Sequence, residues 1–167
     1  CGLSDIITHV CGDFMRYEWA GQTFDVIASW LALYHIPQRD KLLARCHDLL
    51  NPGGVFYVED LFCRQLFSDD EWAELSAELY AQHLPDFDRY QLDLISAGFD
   101  SIACEDMSED WSEFTRERMT TYREQKTRHL RVHGEDVFAS LDAFYDVVVR
   151  YFSSGKLGGI RIIANKI

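Results

Sequence analysis

The sequence predicts an α/β domain built on a mostly parallel sheet. Two observations carry this expectation. Short β-like apolar runs alternate with longer stretches whose apolar residues recur every three or four positions, and the sharpest helix stop, Asn51-Pro52-Gly53-Gly54, leads straight into a new apolar run. The expected strands are residues 6–10, 24–29 and 55–59, with later ones at 101–105 and 159–164. Residues 39–50 set Leu42, Leu43, Cys46, Leu49 and Leu50 on one face, which makes this the clearest helix. Residues 69–82 and 88–97 follow as amphipathic helices, the second stopped by Gly98. Residues 110–131 are helical and strongly charged. Residues 135–152 carry Val137, Phe138, Leu141, Phe144, Tyr145, Val148 and Val149 along one face, so the two stretches are expected to pair as a helical hairpin turned at 132–134.

A chain of 167 residues, 47% hydrophobic and 26% charged, is expected to hold one core and one domain. Sixteen basic residues stand against 28 acidic ones, a net charge of −12 without a basic stripe, and this argues against a nucleic-acid partner. The five cysteines are widely spaced and form neither a CxxC nor a zinc pattern, so they read as reduced thiols of a cytoplasmic protein. No apolar run approaches a membrane span, and the histidines show no metal-ligand spacing. Neither a membrane nor a metal is expected. The opening Cys-Gly-Leu-Ser has the look of an interior stretch of a longer protein.

In doubly wound sheets ligands bind beyond the carboxyl ends of the strands, so the residues just after each strand are the informative ones. After the first come Gly12, Asp13 and Phe14: a close backbone approach, a carboxylate that can accept from an exocyclic amine, and a ring that can lie on a flat base. The trio suits an adenine; a turn capped by Asp13, with Phe14 in the core, is the plainer alternative. After the second come Ser29, Trp30, Tyr34 and His35. A histidine there can act as a general base near neutral pH, or can be a hydrogen-bonded structural residue. After the third, Glu59 and Asp60 are adjacent and must face opposite ways, which disfavours a catalytic acid pair. No G-x-G-x-x-G, G-x-S-x-G or P-loop pattern occurs.

Together, Gly12-Asp13-Phe14, Phe24-Asp25-Val26-Ile27, Leu33-Tyr34-His35-Ile36 and Leu49-Leu50-Asn51-Pro52-Gly53-Gly54 ahead of 55–60 resemble the middle of a class I S-adenosylmethionine-dependent methyltransferase. Within that class the chain is most similar to small-molecule N-methyltransferases of the phosphoethanolamine and sarcosine/glycine kind. The resemblance implies a Rossmann-like sheet, mostly parallel with an antiparallel C-terminal strand. It also implies S-adenosylmethionine as cofactor and a small-molecule acceptor, an amine in first place. Carried over by position, Asp13 would bind the adenine amino group and Phe14 its ring. Ser29 and Trp30 would border the methionine part, and His35 would be the base. Tyr34, Asp60, Arg64, Tyr80 and Lys156 would face the acceptor.

The match has gaps. Leu61 stands where phosphobase relatives have a tyrosine, and Tyr80 and Gln82 lie near the position of their phosphate-gripping pair, which weakens the expectation of a phosphorylated amine. The family's glycine-rich loop and ribose-binding acid would precede Cys1. The chain is therefore expected to be the C-terminal portion of one domain, residues 1–60 on the cofactor side and 61–167 on the acceptor side, with an incomplete sheet open to self-association. Two alternatives stand beside amine methylation. One is an O- or C-methyltransferase on an apolar or aromatic acceptor, the other a non-catalytic α/β fragment.

Overall fold

The computed structural model describes residues 6–167, and Cys1 lies outside them. Four strands form one sheet in the order β1 (Phe24–Trp30), β2 (Leu50–Cys63), β4 (Leu157–Asn165), β3 (Asp100–Asp106). β1 runs parallel to β2, while β4 is antiparallel to both β2 and β3. Three strands thus point one way and the C-terminal strand is inserted against them, as the resemblance implies. Six helices connect and cover the sheet: α1 (Arg39–Leu49), α2 (Asp69–Glu78), α3 (Phe87–Ser96), α4 (Ser108–Glu124), α5 (Lys126–His133) and α6 (Glu135–Ser153).

Strand alternation along β2 divides the core. Phe56, Val58 and Phe62, with Ile160, Ile162 and Ala164 of β4, pack against Leu42, Leu43 and Cys46 of α1 and Tyr90 and Leu94 of α3. On the opposite face, Leu61 and Leu157 meet Leu75 of α2 and Val147, Val148 and Phe152 of α6. That second cover is partial, since Val26, Trp30 and Ile163 on the same face remain exposed. Local chemistry fixes the helix ends. Ser68 and Glu71 form a reciprocal capping box at α2, and Asp86 caps α3 by accepting from the Arg89 amide at 2.7 Å.

Three expectations need correction. Residues 6–10 form no strand: β1 has a free outer edge, no strand lies beside 6–10 among the described residues, and Ile6 and Val10 are exposed. An extended segment without a ladder partner leaves its amides to water and gains nothing from strand geometry. The helix expected over 69–82 ends at Glu78, because Tyr80 takes a φ of +54° and Ala81 turns into the core. The helix expected over 110–131 divides at Gln125, and both halves fold onto α6, with Tyr122 stacked on Phe138 at 4.9 Å and His129 against Tyr122 at 4.4 Å. No helix among the described residues is long and apolar enough to cross a membrane.

α4 docks on β4 through a glycine. A Cβ at Gly159 would lie 2.3 Å from Cε3 of Trp111, so the indole rests on bare backbone. We expect Gly159→Ala to cost about 1–3 kcal/mol by overpacking. Urea denaturation reads this directly, and an unchanged midpoint would mean the indole yields without strain.

Candidate functional site

The carboxyl ends of β1 and β2 form the rim. β1 ends at Trp30, Leu31 adopts a φ of +50°, and its amide donates to the Glu59 carbonyl at 2.7 Å. The chain then makes a short 3-10 turn, Leu33–His35, before entering α1. Beneath this turn is an apolar cavity of about 230 Å³ lined by Phe14, Ser29, Ala32, Leu33, Ile36 and Phe56 among others. Cys46 also lines it, and burial pushes that thiol up to about 12, so it remains neutral there.

The 13–17 segment that carries Phe14 is tied to α1. Arg45 donates from Nε to the Phe14 carbonyl at 2.8 Å and from Nη2 to the Tyr17 carbonyl. Asp13 opens this turn: one carboxylate oxygen accepts from the Met15 amide at 2.9 Å, and the other faces Arg16 at 3.4 Å. Phe14 and Ser29 therefore share the cavity, while Asp13 stands outside its lining. Trp30 does not join them. It is 62% exposed on the opposite face of the sheet, tilted against Tyr57 at 5.8 Å, because successive strand residues point to opposite sides.

His35 sits exposed at the rim, its Nδ1 3.0 Å from the Tyr80 carbonyl oxygen. A carbonyl can only accept, so in the neutral imidazole Nδ1 carries the hydrogen and Nε2 keeps its lone pair. The amides of Gln82 and His83 both donate to the Tyr34 carbonyl, at 3.0 and 3.2 Å, and zip the turn to the α2–α3 connection. Tyr80 contributes its backbone and not its ring, which is 70% exposed. Leu31 and Tyr80, two non-glycine residues with positive φ, thus flank the one histidine at the rim, and such strain persists only where its surroundings hold it.

Asp60 is not on the surface of the site. It is 0% exposed, directed toward α1 and α3, and this corrects the expectation of contact with an acceptor. Tyr90 donates to its Oδ2 at 3.0 Å, whereas Oδ1 has no hydrogen-bond partner. The Arg39 guanidinium, equally buried, lies 3.7 Å over the Tyr90 ring, with Nε 3.4 Å from Asp93 and no hydrogen bond of its own. Burial raises the Asp60 carboxyl to about 6, against the lowering influence of Arg39, the Tyr90 hydroxyl and the Leu61 and Tyr34 amides. Tyr34 is raised to about 12, by burial first and the Asp60 charge second.

The other acidic neighbour is engaged as well. Glu59 accepts from the Tyr57 hydroxyl at 2.6 Å and pairs with Arg161 at 3.1 Å. Lys156 is held by both Glu71 oxygens at 2.6 and 2.7 Å, as part of the α2 cap. Arg64 lines a separate groove of about 730 Å³ with Asp106, Ser108 and Glu109, 3.9 Å from Asp106. The structure therefore brings Phe14 and Ser29 into one cavity, sets the Tyr80 carbonyl against His35, turns Tyr34 into the core cluster of α2 and α6, buries Asp60 against Tyr90, and leaves Trp30, Arg64 and Lys156 elsewhere. Among the described residues no group of His, Cys, Asp and Glu is arranged to hold a metal.

Arg39, Tyr90 and Asp93 escaped the sequence reading. A signal for Arg39 was present: the spacing 39, 42, 43, 46 puts it on the same stripe as Leu42, Leu43 and Cys46, where a charge must find a buried partner.

Comparison with known proteins locates this arrangement. Residues 2–58 match the family described as "Methyltransferase domain". The structure superposes on phosphoethanolamine N-methyltransferase 2 of Haemonchus contortus, solved with phosphomonomethylethanolamine and S-adenosylhomocysteine, with a TM-score of 0.82 over 92% of this chain and 36% of that one at 20% identity. The fold is that of the class I methyltransferases. A protein of Galdieria sulphuraria described as a putative sarcosine dimethylglycine methyltransferase gives a TM-score of 0.83 over 99% of this chain and 61% of that one, at 16% identity. In sequence, phosphoethanolamine N-methyltransferase 3 of Arabidopsis thaliana is 25% identical over 155 residues, 93% of this chain and 31% of the relative. A sterol 24-C-methyltransferase of Gibberella zeae is 30% identical over 70 residues, 42% of this chain and 18% of the relative. The chain spans less than half the length of these curated relatives.

The buried carboxyl makes a pH prediction. A folded pKa raised above that of the unfolded chain means that the folded state holds the proton more tightly. Its stabilising contribution is full below the unfolded value, ~3.9, and is lost as pH rises through about 6. Chemical denaturation at pH 4.5 and 7 should show a loss on the order of 1–3 kcal/mol from this group, absent in Asp60→Asn. An identical pH slope in the variant would assign the titration to another group.

Proposed function

We propose that this chain forms part of an S-adenosylmethionine-dependent methyltransferase that acts on a small molecule, an amine in first place, with His35 as the base. The observation that carries the reading is the pairing of a small apolar cavity with an oriented imidazole on the same short turn. At about 230 Å³ the cavity lies below the range of sites that enclose a drug-sized ligand. Its size fits a flat base and not a whole nucleoside, and its lining joins the aromatic Phe14 and Phe56 with Ser29.

When bound, S-adenosylmethionine supplies an electrophilic methyl on a positively charged sulfur. What the chain must add is alignment and control of one proton. Alignment alone is worth effective molarities of ~10⁵–10⁸ M. An amine that arrives as its ammonium form has no lone pair to offer, so a neighbouring acceptor must take a proton before transfer. Nε2 of His35, left unprotonated by the bond from Nδ1 to the Tyr80 carbonyl, is suited to that task.

The reach of the Arabidopsis relative, named for phosphoethanolamine and matched over 93% of this chain, supports an amine, since the match extends through the acceptor-side half. A second reading, methylation of an apolar acceptor at oxygen or carbon, is favoured by a different observation. Neither Glu59 nor Asp60 is free to hold a cation, and the sterol methyltransferase is matched over 70 residues. Assay of the full-length protein against amine, carboxylate and sterol acceptors separates the two.

His35→Ala should lower kcat by about 10²–10⁴-fold and leave cofactor affinity by calorimetry nearly unchanged. Undiminished turnover rejects His35 as the base. Ser29→Phe, which fills the cavity, should do the reverse and weaken cofactor binding first.

A further inference from the structure

Residues 6–22 contain no helix or strand, yet this stretch must present Phe14 to the cavity. Its internal bonds are few. The Asp13 carbonyl accepts from the Arg16 and Tyr17 amides at 3.0 and 2.9 Å, the Asp13 carboxylate from the Met15 amide, and the Trp19 carbonyl from the Gln22 amide at 2.9 Å. These bonds shape the turn and attach it to nothing else. Among the described residues, the hydrogen bonds that join 6–22 to the rest of the fold come from one side chain: Arg45 donates from Nε to the Phe14 carbonyl at 2.8 Å and from Nη2 to the Tyr17 carbonyl.

Apolar contact also holds the stretch. Phe14 and Met15 pack against the core, and Trp19 meets Phe14, Tyr17 and Phe24 edge-on at 6.2, 4.7 and 5.1 Å. Such attraction is not directional, so by itself it does not fix how deep the Phe14 ring sits. A planar fork that donates to two carbonyls in one turn does fix where the backbone lies. The guanidinium also stands 5.6 Å from the centre of the Phe14 ring. In a chain with 28 acidic residues this cation is thus spent on a loop backbone. Its neighbour Cys46 lines the same cavity, so α1 forms one wall and grips the segment that supplies another.

We propose that Arg45 is a positioning residue for the cofactor, clamping the 13–17 turn onto α1 so that Phe14 stays in the cavity wall. The proposal rests on the reading of the Phe14–Ser29 cavity as the seat of the cofactor's flat base, but the clamp itself is observable without ligand or turnover. A cavity whose wall is in place for only part of the time binds more weakly by that fraction. Loss of the clamp therefore acts on affinity and not on the transfer step.

The test uses full-length protein with two substitutions. Arg45→Met keeps the stem and the helix propensity and removes every donor, while Arg45→Lys keeps a single charged group without the fork. The first readout is limited trypsin digestion followed by mass spectrometry, because Arg16 lies inside the turn with an exposed side chain. Cleavage after Arg16 should accelerate by about 10-fold in Arg45→Met and by less in Arg45→Lys, with the other cleavage sites at their wild-type rates. The second readout is calorimetry with S-adenosylhomocysteine, whose Kd should rise by about 10-fold in Arg45→Met, while kcat at saturating cofactor stays nearly unchanged. Unaltered cleavage after Arg16 in a folded variant overturns the clamp, and acceleration at all sites alike overturns it by assigning Arg45 to global stability. Unaltered affinity in Arg45→Met, with Ser29→Phe weakening binding, overturns the positioning role alone. If Ser29→Phe also leaves affinity intact, the cavity reading itself falls and the positioning role falls with it, so the two failures are told apart.

Discussion

Taking a carboxylate out of water without a full set of partners costs several kcal/mol, and β2 does so near its carboxyl end. Asp60 alternates with Val58 and Phe62 on the face that meets α1 and α3, so the depth at which those helices pack is tied to where one charge can be met. α1 brings Arg39 on its apolar stripe, and α3 brings the Tyr90 hydroxyl and, through Asp93, a counter-charge for Arg39. A slip of β2 by one residue would exchange Asp60 for Glu59 or Leu61 and leave the Tyr90 hydroxyl without its acceptor. The carboxylate thereby ties the register of the strand to the seat of α3, through the Tyr90 hydroxyl.

The two faces of the sheet are finished differently. Towards α1 and α3 the strands are sealed by fully buried Phe56, Val58, Ile160 and Ile162. On the other face α2, α4 and α6 cover Leu61 and Leu157, while Val26, Trp30 and Ile163 stay exposed and Glu59, Arg161 and Glu105 form a chain of ion pairs. Sheets whose strands run largely parallel normally have both faces covered. The exposed apolar side chains and the free outer edge of β1 lie together on this uncovered side. The cavity at Phe14 and Ser29 lies on the opposite face, where Ile27, Leu33, Cys46 and Phe56 line it against α1.

What was legible in the sequence follows from how local each signal is. α1 was clear because five apolar residues share a face and Asn51-Pro52-Gly53-Gly54 must break it; β2, β3, β4 and α6 came from equally local periodicities. The segment 6–10 has the composition of a strand, yet strand formation is a property of pairs, and no single stretch records whether a neighbour exists. Tyr80 was singled out for a side chain that proves to point into water, while its carbonyl makes the contact: a backbone role leaves no mark in residue identity except the positive φ that only coordinates reveal. Asp60 and Glu59 were correctly expected to face opposite ways, but alternation alone does not say which face is open. Arg39 was the readable omission, since its place on the α1 stripe forces a buried partner.

The fate of Glu59 and Asp60 bears on how an amine is to be recognised under the proposed reading. A free carboxylate at the rim would hold an ammonium group by charge, and would thereby stabilise the protonated form that cannot react. Here Glu59 is matched by Arg161 and Tyr57, and Asp60 is buried beneath α3 with the Tyr90 hydroxyl on it, so neither favours the ammonium state. The polar group left at the rim beside the cavity is an imidazole whose proton is fixed on the nitrogen facing the Tyr80 carbonyl. That arrangement supplies an acceptor for a proton and no counter-ion for a cation. Under the proposed reading it favours an acceptor that enters with a readily lost proton and is gripped by its apolar or distal parts.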